Sequence, residues 1–218
     1  MNAYQTNSAA TIKALSQIKI VPVLVLETVT DGVKICELFN RLGLPGAEIT
    51  FRTKAAPEII REVCKQFPAL TVGAGTILNI TDLHRAFEAG AKFAVAPGLN
   101  PTVLREAVKS GYAFSPGVCT PSEVEQAYEL GATLLKFFHA EAVGGVTTLK
   151  AIIAPYKHLG IKFMPTGGIT AANAVEYLSV PEVAAVGGTW LGKSSDIAAG
   201  KWDVIAEGIK TAVQIAAR

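Results

Sequence analysis

The chain is poor in the residues that most often announce a function. Its three cysteines, Cys36, Cys64 and Cys119, are odd in number, far apart and without CxxC spacing. That excludes a disulfide framework, argues against a zinc site, and suits reduced thiols. Of three histidines, His84 and His158 stand at no metal-ligand spacing to each other or to any cysteine. Lys and Arg total 20 against 18 Asp and Glu, so bulk charge offers no field for nucleic acid or a membrane surface. Mean hydropathy is positive, yet no apolar run of about eighteen residues escapes a charged interruption, and no membrane span is expected. The opening MNAYQTNSAATIKALSQ lacks a basic start followed by an apolar block and does not read as a signal peptide. A cytoplasmic protein is the expectation. No linker or low-complexity segment interrupts the chain, so 1–218 reads as a single domain.

What is present is a core and a rhythm. Half of the 218 residues are hydrophobic and 17% are charged, which is enough for a sizeable interior. Short apolar segments recur at 18–26, 46–52, 70–75, 92–98, 112–117, 133–138, 161–168 and 183–188. Amphipathic stretches such as PTVLREAVKSG separate them, with apolar residues three and four apart. Eight strand–helix units with continuous apolar strands predict a parallel sheet covered by helices, an α/β fold of the (β/α)8 TIM-barrel kind. A doubly wound open sheet competes, but no Gly-rich fingerprint follows the first segment, IVPVLVLETVTDG. Extra helices are expected at about 7–17 and 202–216, the first of them N-terminal to the barrel. The turns APGLNPTV, SPGVCTPSEV and MPTGGITAAN repeat one design, a strand ending near Pro-Gly with a helix starting soon after. Barrel enzymes build their sites on that C-terminal face of the strands.

Polar residues intrude where such a fold should be dry. Side chains alternate along a strand, so in GAEITFR the apolar Ile49 and Phe51 share one face. Packing them under helices sends Glu48, Thr50 and Arg52 inward. In TLLKFF the same logic groups Leu134, Lys136 and Phe138 and turns Lys136 inward. These residues could form a structural ion pair, or an amine nucleophile with an acid–base partner. A lysine at the reference pKa of about 10.4 is only ~0.04% neutral at pH 7. A nucleophilic lysine is therefore a buried or cation-flanked one. Other lysines fit less well, because Lys92 and Lys162 start their strands and lie at the opposite end. Two glycine pairs, Gly167–Gly168 and Gly187–Gly188, close the last two strands beside Thr189. Loops at those positions often bind phosphate in barrels. Thr76 could donate to a carboxylate held by Arg52, or simply cap a helix.

EITFR, VGAGT, PGLNP, LLKFFHAE, MPTGGI and VGGTW occur in this order, from about residue 18 to the C-terminus. Together they resemble the 2-keto-3-deoxy-6-phosphogluconate (KDPG) aldolase family, also called 4-hydroxy-2-oxoglutarate aldolases. The resemblance implies a class I aldolase of the Entner–Doudoroff pathway, a homotrimer that needs no metal and no cofactor. It implies cleavage of a phosphorylated 2-keto acid, a small-molecule substrate, to pyruvate and glyceraldehyde 3-phosphate. It makes Lys136 the Schiff-base lysine and Glu48 the general acid–base. Arg52 and Thr76 would hold the pyruvate carboxylate, and Thr166 would meet the hydroxyl end. Gly167, Gly168, Gly188 and Thr189 would hold phosphate, while Pro97 and Phe138 would shape the pocket. Two positions depart from the family pattern. His139 stands where the family usually has proline, and Thr189 where serine is common. Two rivals remain at this point: a phosphate-binding barrel isomerase or decarboxylase, and a non-catalytic sugar-phosphate sensor.

Overall fold

The apolar segments become strands and the amphipathic ones helices because each element must bury one face against another layer. A computed structural model describes residues 2–217. Its strands are β1 (Ile20–Leu24), β2 (Gly46–Thr50), β3 (Thr71–Gly75), β4 (Phe93–Val95) and β5 (Phe114–Ser115), then β6 (Gly117–Val118), β7 (Leu134–Phe137), β8 (Lys162–Phe163) and β9 (Val186–Gly188). The helices are α1 (Ala3–Ile18), α2 (Val29–Leu42), α3 (Ala56–Gln66), α4 (Ile80–Glu88) and α5 (Pro101–Ser110), then α6 (Pro121–Glu129), α7 (Gly145–Ile153), α8 (Ala174–Leu178), α9 (Ser194–Ala198) and α10 (Trp202–Ala216). Every pairing is parallel. One sheet runs β5-β4-β3-β2-β1-β9 and a second runs β6-β7-β8.

Local chemistry sets several boundaries. Pro101 and Pro121 open α5 and α6, where no backbone N–H is lost. Thr120 caps α6 in a reciprocal box with Glu123, whose carboxylate also accepts from the Cys119 N–H at 2.8 Å. The expected fifth strand, 112–117, is broken at Pro116, which has no N–H to give to a ladder. β5 and β6 on either side of it belong to different sheets, yet the chain stays pinned. Ala96 donates to the Ser115 carbonyl at 3.1 Å and Lys136 to the Pro116 carbonyl at 2.9 Å. The expected N-terminal helix starts earlier than anticipated, at Ala3, under a capping box of Asn2 and Gln5. The C-terminal helix lies where periodicity put it. The short α9 carries too little periodicity to be anticipated.

Alternation sorts the strand side chains into two separate apolar layers. Ala47, Ile49, Val72, Ala74, Leu135 and Phe137 pack toward the helices in the larger cluster. Full burial of one such side chain contributes about 1.5–3 kcal/mol. Val21, Phe93, Val95, Leu134 and Met164 form a second cluster on the inner faces, stopped by Leu15 and Ile18 of α1. Helix α1 thus fills the N-terminal end of the interior with hydrocarbon. The polar residues Glu48 and Lys136 lie further along their strands, and Thr166 lies just past the end of β8.

Candidate active site

Strand β2 carries Ile49 into the outer layer, so Glu48 and Thr50 point inward, and all three are fully buried. Thr50 is committed to structure, its hydroxyl donating to the Leu24 carbonyl at 2.8 Å. Strand β7 does the same for Lys136, between the outward Leu135 and Phe137. The two strands meet in the interior: Lys136 Nζ lies 3.1 Å from Glu48 Oε1 and 3.4 Å from Oε2. Side-chain exposure is 6% for the lysine and 1% for the glutamate. Stability alone is a poor reason for such a pair, since desolvation of both ions offsets most of their attraction. The pair is a direct path for one proton, and its transfer leaves a neutral amine facing a carboxylic acid.

Gly75 makes that contact sterically available. A Cβ on Gly75 would sit 2.2 Å from Glu48 Oε1 and 2.9 Å from Cδ, so the carboxyl passes over a backbone with no side chain. The next residue, Thr76, has a φ of 59°, in the left-handed region that β-branched residues rarely enter. Such a conformation costs about 1–3 kcal/mol and persists where the surroundings over-determine it. Here Phe51 donates to the Gly75 carbonyl at 2.8 Å and Ile77 to the Val95 carbonyl at 3.1 Å, fixing the chain on both sides.

A small cleft opens above the pair, and both polar and apolar residues line it. Of the residues singled out in the sequence, Arg52, Thr76, Pro97, Lys136, Phe138, Thr166, Gly167, Gly168 and Thr189 line it. Glu48 reaches it only through Lys136. Gly188 does not line it, because the Trp190 ring lies where a Gly188 side chain would go. Gly187 takes that place on the wall, with Val23 and Ile169. His139 is exposed and outside the lining, its ring 3.8 Å from that of Phe138.

The charges and donors in the cleft are arranged for an anionic ligand. Arg52 is exposed on the turn after β2, and among the described residues no carboxylate lies within salt-bridge distance of it. The Thr166 hydroxyl makes only a long contact, 3.5 Å to the Met164 carbonyl, and remains able to serve another partner. Gly167 and Gly168 take φ of 104° and 78°. Among the described residues no protein acceptor takes the N–H of Gly167, Gly168 or Ile169. Successive free N–H groups in a turn make an anion-binding concavity. Sequence reasoning missed Gly75, Val23 and Ile169, whereas Gly187 belongs to a glycine pair it had marked. Glycine in VGAGT reads as a turn residue, and inward valines look like any core.

A buried lysine paired with a buried glutamate at the foot of an anion-receptive cleft is an arrangement suited to an aldehyde-lyase that works through an imine. The relatives agree. The profile of the KDPG and KHG aldolase family matches residues 11–207. A 2-dehydro-3-deoxy-phosphogluconate aldolase of Pseudoalteromonas atlantica is 41% identical over 202 residues, covering 93% of each chain. One from Haemophilus influenzae is 38% identical over 204 residues, 94% of this chain and 95% of its own. Among solved structures, the KDPG aldolase of Legionella pneumophila, with pyruvate captured as a covalent carbinolamine, superposes with a TM-score of 0.87 at 34% identity, covering 92% of this chain and 97% of that one. The chain belongs to the KDPG and KHG aldolase family.

Proposed function

We propose that this chain is a class I aldolase that cleaves 2-keto-3-deoxy-6-phosphogluconate to pyruvate and glyceraldehyde 3-phosphate, with Lys136 as the Schiff-base lysine. One observation carries the reading: two buried ionisable groups, Lys136 Nζ and Glu48 Oε1, lie 3.1 Å apart beneath the cleft. In this scheme Lys136 passes a proton to Glu48 and its amine adds to the C2 carbonyl of the substrate. The carbinolamine loses water and becomes an iminium. Glu48, again a carboxylate, takes the C4 hydroxyl proton. The C3–C4 bond breaks, its electron pair forms the C2–C3 double bond of an enamine, and glyceraldehyde 3-phosphate departs. Protonation at C3 and addition of water to the iminium release pyruvate and restore the amine.

The other roles follow from position. Arg52 and Thr76 share the wall on which a pyruvate carboxylate would rest, and the unpaired Arg52 supplies its charge. Thr166 meets the hydroxyl-bearing carbons, and Pro97 and Phe138 narrow the cleft around them. The free N–H groups of the Gly167–Gly168 turn, with Thr189, receive the phosphate, while Gly188 acts from behind by seating the Trp190 ring.

We also read the two sheets as one closed (β/α)8 barrel. Single bridges between Phe163 and Val183 and between Thr166 and Gly187 support closure on one side, and the continuous chain through Pro116 supports it on the other. Residues 1–218 then form one domain, as the near-complete span of the family profile supports. Assembly as a homotrimer follows from the family resemblance, and light scattering should return three times the 22.9 kDa chain mass. Three free cysteines suit a reducing cytoplasm, and among the described residues no helix is long and apolar enough to cross a membrane.

Incubation with pyruvate followed by borohydride, with peptide mass mapping, tests the mechanism. A single pyruvyl adduct on Lys136 is expected. No adduct, or one on another lysine, would sink the mechanism.

A further inference from the structure

The loop after β7 touches the glycine turn through Glu141, which the proposed chemistry does not use. The Glu141 N–H donates to the Gly167 carbonyl at 3.0 Å, beside a parallel bond from Ala140 to the Thr166 carbonyl at 2.9 Å. The Glu141 side chain then lies flat against Gly168, its Cβ and Cγ within 2.6 and 2.7 Å of where a Gly168 Cβ would be. Beyond that contact its carboxylate accepts a short hydrogen bond from the Tyr177 hydroxyl. Tyr177 is fully buried in α8, the helix that follows the glycine turn in sequence. Asn173, just before α8, grips the same segment from the other side. Its Nδ2 donates to the Gly168 carbonyl at 3.3 Å and its Oδ1 accepts from the Thr170 N–H at 2.8 Å.

We propose that Glu141, clasped by Tyr177, is a positioning residue that sets the Gly167–Gly168 turn so that its free N–H groups face a phosphate-bearing ligand. The inference rests on the phosphate reading of that turn given above. Both carbonyls of the turn are taken, by Glu141 and Asn173, so the N–H groups are left as its unsatisfied side. Positive φ at two successive glycines gives the turn several accessible conformations, and the clasp selects one. Burial first, and the Glu141 bond second, push the Tyr177 phenol well above its ordinary value, so it stays a donor throughout the working pH range. A charge-assisted bond of this kind is roughly twice as strong as a neutral one.

The test uses the full chain with glycerol 3-phosphate as the probe, its binding measured by calorimetry, in Tyr177→Phe, Glu141→Ala and Glu141→Gln. Tyr177→Phe keeps the buried ring and removes only the donor. Kd should rise about three- to tenfold in Tyr177→Phe and Glu141→Ala, in line with loss of one such hydrogen bond. Glu141→Gln, which keeps an acceptor for Tyr177, should recover part of the loss. The pyruvate concentration for half-maximal borohydride trapping on Lys136 should stay within about twofold of wild type, since a carboxylate at the other end of the cleft does not feel the turn. Unchanged Kd in Tyr177→Phe and Glu141→Ala would overturn the inference, as would an equal loss of pyruvate trapping, which general damage would cause. Failure of the wild type to bind glycerol 3-phosphate would overturn it as well. Failure of the wild type to trap pyruvate would instead refute the aldolase reading, and the glycerol 3-phosphate comparison would still decide the role of Glu141.

Discussion

Substituting Gly75 with alanine tests whether the Lys136–Glu48 contact carries the chemistry, without touching either residue. The new Cβ would lie 2.2 Å from Glu48 Oε1, where ordinary contact begins at 3.4 Å, so the carboxyl must retreat by about 1 Å. The backbone cannot yield instead, because Phe51 holds the Gly75 carbonyl at 2.8 Å and β3 is bonded on both sides. Displacement of about 1 Å in a reacting group can lower a rate by ~10²-fold. Overpacking a close-packed interior should cost about 1–3 kcal/mol, or roughly 2–12 °C in Tm for a chain of this size. Cleavage is followed by pyruvate release in a coupled assay, and stability by thermal unfolding. Gly98→Ala is the control, since nothing lies within 4 Å of its added Cβ. Combining Gly75→Ala with Glu48→Gln should be little worse than the poorer single variant, because both changes act on one carboxyl. Wild-type turnover in Gly75→Ala would show that Glu48 does not need its observed position, and the proton-transfer scheme would fall.

The remaining expectations concern the same residues and the core. Lys136→Met should lose cleavage to the limit of detection. By leaving Glu48 buried without a partner it should also cost about 3–5 kcal/mol, and adding Glu48→Gln should restore part of the lost Tm. Arg52→Ala should raise KM for the keto acid by about tenfold or more, as loss of a charged hydrogen bond of about 1.5–3 kcal/mol requires. An unchanged KM would move the carboxylate elsewhere. Stability should fall in alkali. Burial raises the Cys36 thiol from 9.0 to about 12, and the Tyr4 phenol from 10.0 to about 12. Between those values the unfolded chain has released protons that the native one still holds, so unfolding becomes easier as pH rises, by about 1.4 kcal/mol per pH unit for each group. Denaturant titrations at pH 8 and pH 10.5 measure this, and equal stability at the two would contradict it.

Strand faces were legible in the sequence because alternation has a strict period of two. The inward turn of Glu48 and Lys136 could be read from Ile49, Leu135 and Phe137 alone. That reading stops at direction. It grouped Arg52 with Glu48 and Thr50, yet only Glu48 meets Lys136, Thr50 is taken by the Leu24 carbonyl, and Arg52 stands at the rim. The left-handed Thr76, the recess at Gly75 and the clasp of Glu141 by Tyr177 depend on neighbours from other strands and helices, which local pattern does not encode. The division of the fifth strand was foreseeable from Pro116, but the reach of its flanks into two different sheets was not. Glycine pairs marked the place of the last two turns. Which glycine of the last pair lines the cleft depended on where the Trp190 ring came to rest.

The hydrocarbon stopper formed by Leu15 and Ile18 beneath the inner-face cluster has a kinetic consequence. In the proposed scheme the amine of Lys136 is reached from the cleft that it lines, so substrate, water and both products share that doorway. In the proposed scheme the aldehyde fragment lies nearer that doorway than the bound three-carbon fragment, and it must clear the passage before water can reach the imine. In that scheme product release should be ordered, aldehyde first and pyruvate second. In the reverse direction pyruvate must load before any aldehyde acceptor. Pyruvate should then inhibit cleavage competitively against the keto acid, while the aldehyde product inhibits it noncompetitively.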